Sequence, residues 1–418
     1  MKLNYKRTFL VGLAFLSISA FWQVYDGIVP LILKHTFNVN DAVSGGIMAL
    51  DNVLALVLLP VVGALSDQVK SPLGRRTPFI LFGTIAAIIS MMMIPWSNQL
   101  RSLPFFVIAL FATLLSMSTY RSPAVALMPD VTPKPLRSKA NAVINLMGAV
   151  GGIITLALTG VLVPEGENPS YFPIFTAVAV ICIVAVGTLV ATVREPKLAL
   201  PPEEPEKKQE NAGAVMSGPV KKSFACILAA VFLWFMGYNA VTTAFSRYAQ
   251  VYWGLTGGSF AYTLIVAQAA AIISYLPVGM IASRVGRKKT ILTGVALLCL
   301  AFVSAAFFKT FSSLMFVFFA LAGVGWASIN VNSYPMVVEM SQGADVGKYT
   351  GIYYTFSMSA QILTPVLSGA LLDYVGYWTL FPYGALFVAA AFVTMLFVRH
   401  GDNRPEAKKG LEAFDVED

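Results

Sequence analysis

Charged residues are scarce in this sequence, since Asp, Glu, Lys and Arg together make up only 12% of its 418 residues. Ordinary soluble domains carry about 25%. Apolar residues make up 57% of the chain, which is more than the surface of a water-soluble globular protein tolerates. The composition therefore excludes a soluble protein and predicts a chain that is surrounded by the lipid bilayer.

Histidine and cysteine are also rare, with two and three residues. Neither His35 nor His400 is placed as a base for a nucleophile, and Cys182, Cys226 and Cys299 lie in separate apolar runs without metal-ligand spacing. The sequence lacks a Gly-rich phosphate loop that ends in Lys and Ser or Thr. We therefore predict a protein that is not an enzyme, has no cofactor or metal, and uses an ion gradient rather than ATP.

Twelve apolar runs reach the length of about 20 residues that a membrane helix needs. They lie at residues 8–33, 42–65, 77–97, 103–128, 139–163, 172–193, 223–253, 259–282, 289–308, 311–338, 347–372 and 378–399. The long loop between the sixth and seventh spans is rich in Pro, Glu and Lys and cannot bury enough apolar surface to fold. The sequence predicts an all-α integral membrane protein with two six-helix bundles at 1–195 and 223–400, a cytoplasmic linker at 196–222 and a cytoplasmic tail at 401–418.

The net charge is +8, and the basic residues of the loops lie almost entirely on the side of the two termini. Only Lys34, Arg101 and Lys309 fall in the loops of the opposite side. The positive-inside rule then places both termini in the cytoplasm of a multi-pass protein of the cell membrane, or of the inner membrane if the source is bacterial. No basic stripe is interleaved with stacking aromatics, so we expect no nucleic-acid partner. We expect a monomer.

Short motifs recur at corresponding places in the two halves, which supports a duplicated six-helix unit. A Gly-x-x-x-Asp motif, followed by a basic cluster, closes the second span, and a basic cluster with glycines closes the eighth. The glycine permits close helix approach, and the aspartate can face an arginine or the positive end of a helix. Against the alternative of a solvated basic loop, we predict a cytoplasmic gate made of Gly63, Asp67, Gly74, Arg75, Arg76, Gly279, Arg284, Arg287 and Glu339.

Two stretches carry a resemblance to a known family. Pro60-x-x-Gly63-x-x-x-Asp67 with residues 73–80 (LGRRTPFI) resembles the major facilitator superfamily, and within it the glycoside-pentoside-hexuronide:cation symporters. Residues 121–130 (RSPAVALMPD) with 139–142 (KANA) are similar to the fourth-helix signature of the sucrose-proton symporter (solute carrier family 45-like) branch. The resemblance implies twelve helices in two bundles, with a sugar and a proton as cargo.

The same resemblance implies that Asp130 takes part in proton coupling and sugar binding. Val125 stands where the plant sucrose carriers have an arginine, and Arg121 lies one helical turn earlier. Ala55 and Leu59 stand where the melibiose-permease branch has sodium-binding carboxylates. Protons are therefore favoured over sodium as the coupling ion.

Ionisable residues inside the predicted spans need an explanation, because each costs at least about 2.5–3.5 kcal/mol at the bilayer centre. Asp26, Asp51 and Arg121 fall in spans 1, 2 and 4. We predict that one carboxylate among Asp26, Asp51 and Asp130 takes up the proton, and that Arg121 controls it by pairing. The alternative is a static ion pair or polar packing cluster. Arg247, in span 7, either extends to the outer interface or touches substrate.

A sugar is recognised by aromatic faces and by amide or charged groups that satisfy its hydroxyls. For any single aromatic residue, the alternative is helix packing or a place in the interfacial belt. The predicted substrate-binding residues are Trp22, Gln23, Tyr25, Asn141, Asn145, Trp234, Tyr238, Asn239, Gln268, Trp326, Asn330, Asn332, Tyr353 and Gln361.

These observations favour a secondary active transporter that couples protons to an oligosaccharide or glycoside by alternating access. A proton-coupled exporter of amphipathic organic compounds on the same fold is one alternative. A sugar sensor that does not transport is another.

Overall fold

The computed structural model describes residues 3–133, 136–166, 169–198, 218–340 and 346–402, together with Gly410 and Glu412. These residues form α-helices joined by short connections. The helices are α1 (Tyr5–His35), α2 (Asp41–Gln68), α3 (Thr77–Gln99), α4 (Leu103–Val131), α5 (Arg137–Leu162), α6 (Phe172–Thr192), α7 (Glu195–Leu198), α8 (Gly218–Val251), α9 (Ala261–Val285), α10 (Arg287–Ala306), α11 (Met315–Met340), α12 (Val346–Tyr374) and α13 (Leu380–Leu396), with a 3₁₀ turn at Tyr377–Thr379.

Twelve helices within these described ranges are long and apolar enough to cross a membrane. They are α1 to α6 and α8 to α13, and their ends differ from the predicted spans by a few residues. The predicted all-α fold with twelve spans is therefore confirmed. The cytoplasmic position of the termini stays a prediction. Most of the predicted linker and most of the predicted tail lie outside the described residues.

Helix starts follow local chemistry. The Asn4 side chain accepts a hydrogen bond from the Arg7 backbone N–H at α1, and Asn40 does the same for Val43 at α2, at 2.8 Å. Such caps satisfy donors that the first helical turn leaves free. Helices α3, α4 and α6 instead begin with a proline in the first turn, where its missing N–H does no harm.

The helices pack into two compact units. The first unit comprises Met1–Leu200 and Phe245–Ile265, and the second comprises Pro201–Ala244 and Val266–Asp418. Helix α8 is thus shared, with its last turns belonging to the first unit. The predicted bundle boundaries at 195 and 223 stay a prediction.

Small residues set the helix spacing in each unit. In the first, a Cβ added to Gly151 of α5 would lie 2.2 Å from the Leu16 carbonyl oxygen of α1. In the second, a Cβ on Gly294 of α10 would lie 2.7 Å from the Gly325 carbonyl oxygen of α11. Without a hydrophobic drive between helices in lipid, such close approach supplies the packing energy.

Candidate functional site

Three charged side chains from three helices form a cluster in the first unit. The Asp51 carboxylate on α2 lies within electrostatic reach of the Asp26 carboxylate on α1 and of the Arg121 guanidinium on α4. Asn52 donates a hydrogen bond to Asp51 at 2.8 Å. All three charged side chains are half-buried. The structure therefore brings together three of the four residues predicted for proton coupling, and we call them the charge cluster.

Aromatic residues of α1 stand beside the charge cluster. The guanidinium carbon of Arg121 lies 5.9 Å from the centre of the Trp22 ring, which is cation–π range. Trp22 in turn meets Tyr25 edge-on at 5.3 Å. The Tyr25 hydroxyl donates to the Met48 carbonyl oxygen at 3.2 Å, so this residue ties α1 to α2. The Trp22 indole N–H is buried and finds no acceptor among the described residues, and it can donate to a bound ligand.

A second aromatic group lies in the second unit. The rings of Tyr238 on α8 and Trp326 on α11 are parallel, with centres 3.6 Å apart, and Phe235 meets Trp326 edge-on at 5.4 Å. The Asn239 side-chain nitrogen and the Trp234 indole nitrogen are buried without a hydrogen-bond partner in the part of the chain that the structure describes. The paired rings and the unpartnered donors are groups that suit a hydroxylated ligand.

Two other predicted substrate residues are engaged in packing. Asn332 donates to the Ser328 carbonyl oxygen one turn back on α11 and is 1% exposed. The Tyr353 hydroxyl lies 3.1 Å from that of Ser333, in a buried contact between α12 and α11. Asn330 is buried. The remaining predicted amides are half-buried, namely Gln23, Asn141, Asn145, Gln268 and Gln361.

Asp130, the fourth residue predicted for proton coupling, belongs to an arginine network at the far end of α4. Its carboxylate accepts from Arg75 at 2.7 Å and from Arg76 at 2.9 Å. Arg76 is 5% exposed. It also donates to three groups on α2, namely the Gly63 carbonyl oxygen, the Ser66 hydroxyl and the Asp67 carboxylate. The structure thus joins four predicted gate residues to Asp130.

Glu195 completes this network, and sequence reasoning missed it. Its carboxylate is 1% exposed and accepts from the backbone N–H groups of Arg75, Arg76 and Thr77 at 2.8–2.9 Å, and from the Thr77 hydroxyl at 2.8 Å. It therefore caps α3 from the first residue of the short helix α7, which follows α6. Gly74 has φ +108°, and a Cβ there would lie 2.3 Å from a Glu195 oxygen. The only signal was a carboxylate directly after the sixth span.

The second unit repeats this arrangement. Arg287 pairs with Glu339, and Asp402, after α13, accepts from the Lys288 backbone N–H at 2.8 Å. Gly286 has φ +97°, and a Cβ there would lie 2.8 Å from the Asp402 carboxylate. Two further predicted gate residues lie in more open surroundings than these. Gly279 faces open space, and Arg284 is exposed.

A buried ion pair lies at the opposite end of the first unit. Arg247 donates to one oxygen of Asp41 at 2.7 Å, and Lys34 contacts the other oxygen at 3.1 Å. Arg247 is therefore buried in an ion pair and does not extend to the outer interface, while its contact with substrate stays a prediction. Asp41 was missed because it lies at the very edge of the second predicted span, where a charge is unremarkable.

Comparison with known proteins gives one family and several relatives. The model of the Major Facilitator Superfamily matches residues 11–274 and again 227–416. A sucrose transport protein of Arabidopsis thaliana is 30% identical over 37% of this chain and 28% of its own length. The alpha-ketoglutarate permease of Escherichia coli is 26% identical over 42% of this chain and 40% of its own. The matched segments thus span well under two thirds of these relatives.

Solved structures share the fold. The crystal structure of a nucleoside transporter covers 94% of this chain and is itself covered completely, with a TM-score of 0.70 and 13% identity. At that identity the likeness concerns the fold alone.

Proposed function

The chain belongs to the major facilitator superfamily, and from this premise we propose that it imports a sugar, an oligosaccharide or glycoside, together with protons by alternating access. Its membership and its twelve spans make it a multi-pass transporter of the cell membrane. The observation that carries the finer proposal is the charge cluster of Asp26, Asp51 and Arg121.

The charge balance of the cluster supports proton coupling. It holds two acids and one base, so one bound proton makes it neutral. Loss of that proton leaves a net negative charge within the membrane, which is costly. If the cluster is neutral only when it binds a proton, the transporter changes conformation preferentially in the protonated state. We assign Asp130 to the cytoplasmic gate rather than to proton uptake, because Arg75 and Arg76 both pair with its carboxylate.

Polar and aromatic groups within each unit, taken separately, support a sugar as cargo. Trp22 presents an unpartnered indole N–H next to Arg121, and both can donate to hydroxyl oxygens. In the second unit, Tyr238 and Trp326 supply aromatic surface, and Asn239 supplies an unpartnered donor. The likeness to a sucrose transport protein agrees with this chemistry.

The test is substrate-driven proton movement in proteoliposomes that contain a pH-sensitive dye. Sucrose and other glycosides are expected to acidify the lumen, whereas alpha-ketoglutarate, the substrate named for the other relative, is not. With an imposed pH gradient, Asp51→Asn is expected to abolish accumulation above the external concentration while sugar exchange persists. Glu165→Gln is the matched control, because Glu165 lies in an exposed loop.

Three results would contradict the proposal. If both Asp26→Asn and Asp51→Asn keep proton-driven accumulation, the cluster is a static packing feature. If no sugar moves protons and unrelated amphipathic compounds do, the protein is an exporter. Sugar binding without any flux would instead identify a sensor.

A further inference from the structure

Tyr25 joins the two helices that carry the acids of the charge cluster. It directly precedes Asp26 on α1, and its hydroxyl donates to the Met48 carbonyl oxygen on α2 at 3.2 Å. Met48 lies three residues before Asp51, which is about 4.5 Å along a helix. We propose that Tyr25 is a positioning residue for proton uptake, whose hydrogen bond holds Asp26 and Asp51 close enough to share one proton. This role rests on the proposed function, because it concerns the cluster assigned there to proton coupling.

The Tyr25 side chain is held firmly enough to act as a tie between the helices. It is 1% exposed, and its ring stacks on Phe21 with centres 6.1 Å apart and meets Trp22 edge-on at 5.3 Å. The acceptor is a backbone carbonyl, so the bond fixes α2 itself rather than a side chain that can change rotamer. A hydrogen bond is also stronger in a low-dielectric interior than in water.

The hydrogen bond acts against electrostatic repulsion. The carboxylates of Asp26 and Asp51 lie within electrostatic reach of each other, and Tyr25 lies within reach of both. Two carboxylates that share a site disfavour the state in which both are ionised, so the site favours a bound proton. If the bond is lost, the like charges can move apart and the repulsion falls. Proton uptake by the cluster then requires a lower pH.

Arg121 acts in the opposite direction. Its positive charge lies within electrostatic reach of Asp51 and attracts that carboxylate. Arg121 belongs to α4, so a bond between α1 and α2 does not set its distance from Asp51. The next ionisable side chains along the two helices are Lys34 on α1 and Asp41 on α2, more than two helical turns from the cluster. The repulsion from Asp26 is therefore the part of the charge balance that Tyr25 controls.

The titratable groups of the other helices that pack on α1 lie away from the cluster. The Tyr120 hydroxyl of α4 donates to the Ala14 carbonyl oxygen at 2.8 Å. The Cys182 thiol of α6 contacts the Ser17 carbonyl oxygen at 3.8 Å. Both contacts lie more than two turns from Asp26 along α1. Helix α5 carries titratable side chains only in its first turn.

The test is the reaction of Asp51 with dicyclohexylcarbodiimide, which modifies carboxyl groups in their protonated form. The purified protein is held in lipid nanodiscs across a pH series, and mass spectrometry gives the pH at which half of Asp51 is modified. No sugar is needed. Tyr25→Phe keeps the ring and removes the hydroxyl. It is expected to lower the pH of half-modification by about 0.5–1 unit, the change for two charges that separate by a few ångströms at the effective dielectric constant of proteins.

The Asp26→Asn background separates positioning from a local effect of the hydroxyl. Alone, Asp26→Asn removes the second charge and is expected to lower the pH of half-modification of Asp51 at least as far as Tyr25→Phe does. In that background Tyr25→Phe has no repulsion left to relieve, and it is expected to cause no further shift. A direct effect of the hydroxyl on Asp51 would instead appear equally in both backgrounds.

Tyr334→Phe is the matched control for the loss of a hydroxyl contact between helices. The Tyr334 hydroxyl lies 2.9 Å from that of Thr350, between α11 and α12 in the second unit. Tyr25→Phe and Tyr334→Phe are each expected to lower the melting temperature by about 1–6 °C. Only Tyr25→Phe is expected to move the titration of Asp51.

Three results of the titration would overturn the positioning role. They are an unchanged pH of half-modification in Tyr25→Phe, a Tyr25→Phe shift that persists in the Asp26→Asn background, and an Asp51 titration that Asp26→Asn leaves unchanged. The last comparison decides the matter even if Tyr25→Phe does not fold.

Uptake in proteoliposomes separates this role from sugar binding and from the proposed function. Tyr25→Phe is expected to shift the pH profile of sugar uptake downward and to leave the half-saturating sugar concentration at low pH unchanged. A raised half-saturating concentration at every pH would make Tyr25 a sugar ligand and overturn the positioning role. Wild-type protein that takes up no sugar with protons would contradict the proposed function, whereas the Asp51 titration tests Tyr25 without transport.

Discussion

Removal of the Glu195 carboxylate is expected to destabilise the first unit strongly. The side chain accepts four hydrogen bonds, three of them from backbone N–H groups at the start of α3, and it is 1% exposed. Hydrogen bonds to charged groups contribute about 1.5–3 kcal/mol each. The four are not independent, since a single group makes them. We therefore expect Glu195→Ala to lower the free energy of unfolding by about 3–5 kcal/mol, the range for losing one partner of a buried charged contact.

Thermal unfolding of the purified protein, followed by the fluorescence of its six tryptophans, measures this loss. For units of this size, 1 kcal/mol shifts the melting temperature by about 2–4 °C, so the expected drop is about 6–20 °C. Glu195→Gln retains one acceptor oxygen and is expected to lower the free energy of unfolding by about 1–2 kcal/mol.

Glu165→Ala is the matched control, because it removes the same charge from an exposed hydrogen bond with Thr256. We expect it to shift the melting temperature by less than about 2 °C. Equal shifts for Glu195→Ala and Glu165→Ala would refute the reasoning that the carboxylate caps α3.

Further predictions concern single glycine and aromatic positions. Gly74→Ala is expected to destabilise the protein by about 1–3 kcal/mol, since alanine is strained at a positive φ and its Cβ would meet Glu195. Gly279→Ala, at an open helical position, is expected to stabilise by up to about 1 kcal/mol in the same melting assay. Trp326→Leu removes the stack with Tyr238 and is expected to raise the half-saturating sugar concentration of uptake about 2- to 10-fold. Trp378→Leu, at a side chain that is 53% exposed, is expected to leave that concentration unchanged.

The fold could be predicted from sequence because lipid leaves the chain few choices. A backbone that crosses a bilayer must satisfy its own hydrogen bonds, so an apolar run of the right length is a helix. The predicted helix ends also lie close to the observed ones, because Asn40 before α2 and the proline after Thr77 are residues that favour a helix start.

The charge cluster was predictable for a related reason. Asp26, Asp51 and Arg121 lie within apolar runs, where charge is rare enough to demand a partner. The pairing of Asp41 with Arg247 was not predictable, because the two are 206 residues apart and both lie near span ends. The role of Asn332 cannot be decided from sequence, since an amide that bonds to its own helix looks the same there as one that faces a ligand.

The carboxylates that cap the third helix of each bundle differ in access. Glu195 is buried, whereas Asp402 is exposed. The carboxylate that fastens α10 in the second half is therefore open to solvent, while its counterpart in the first half is shielded from it.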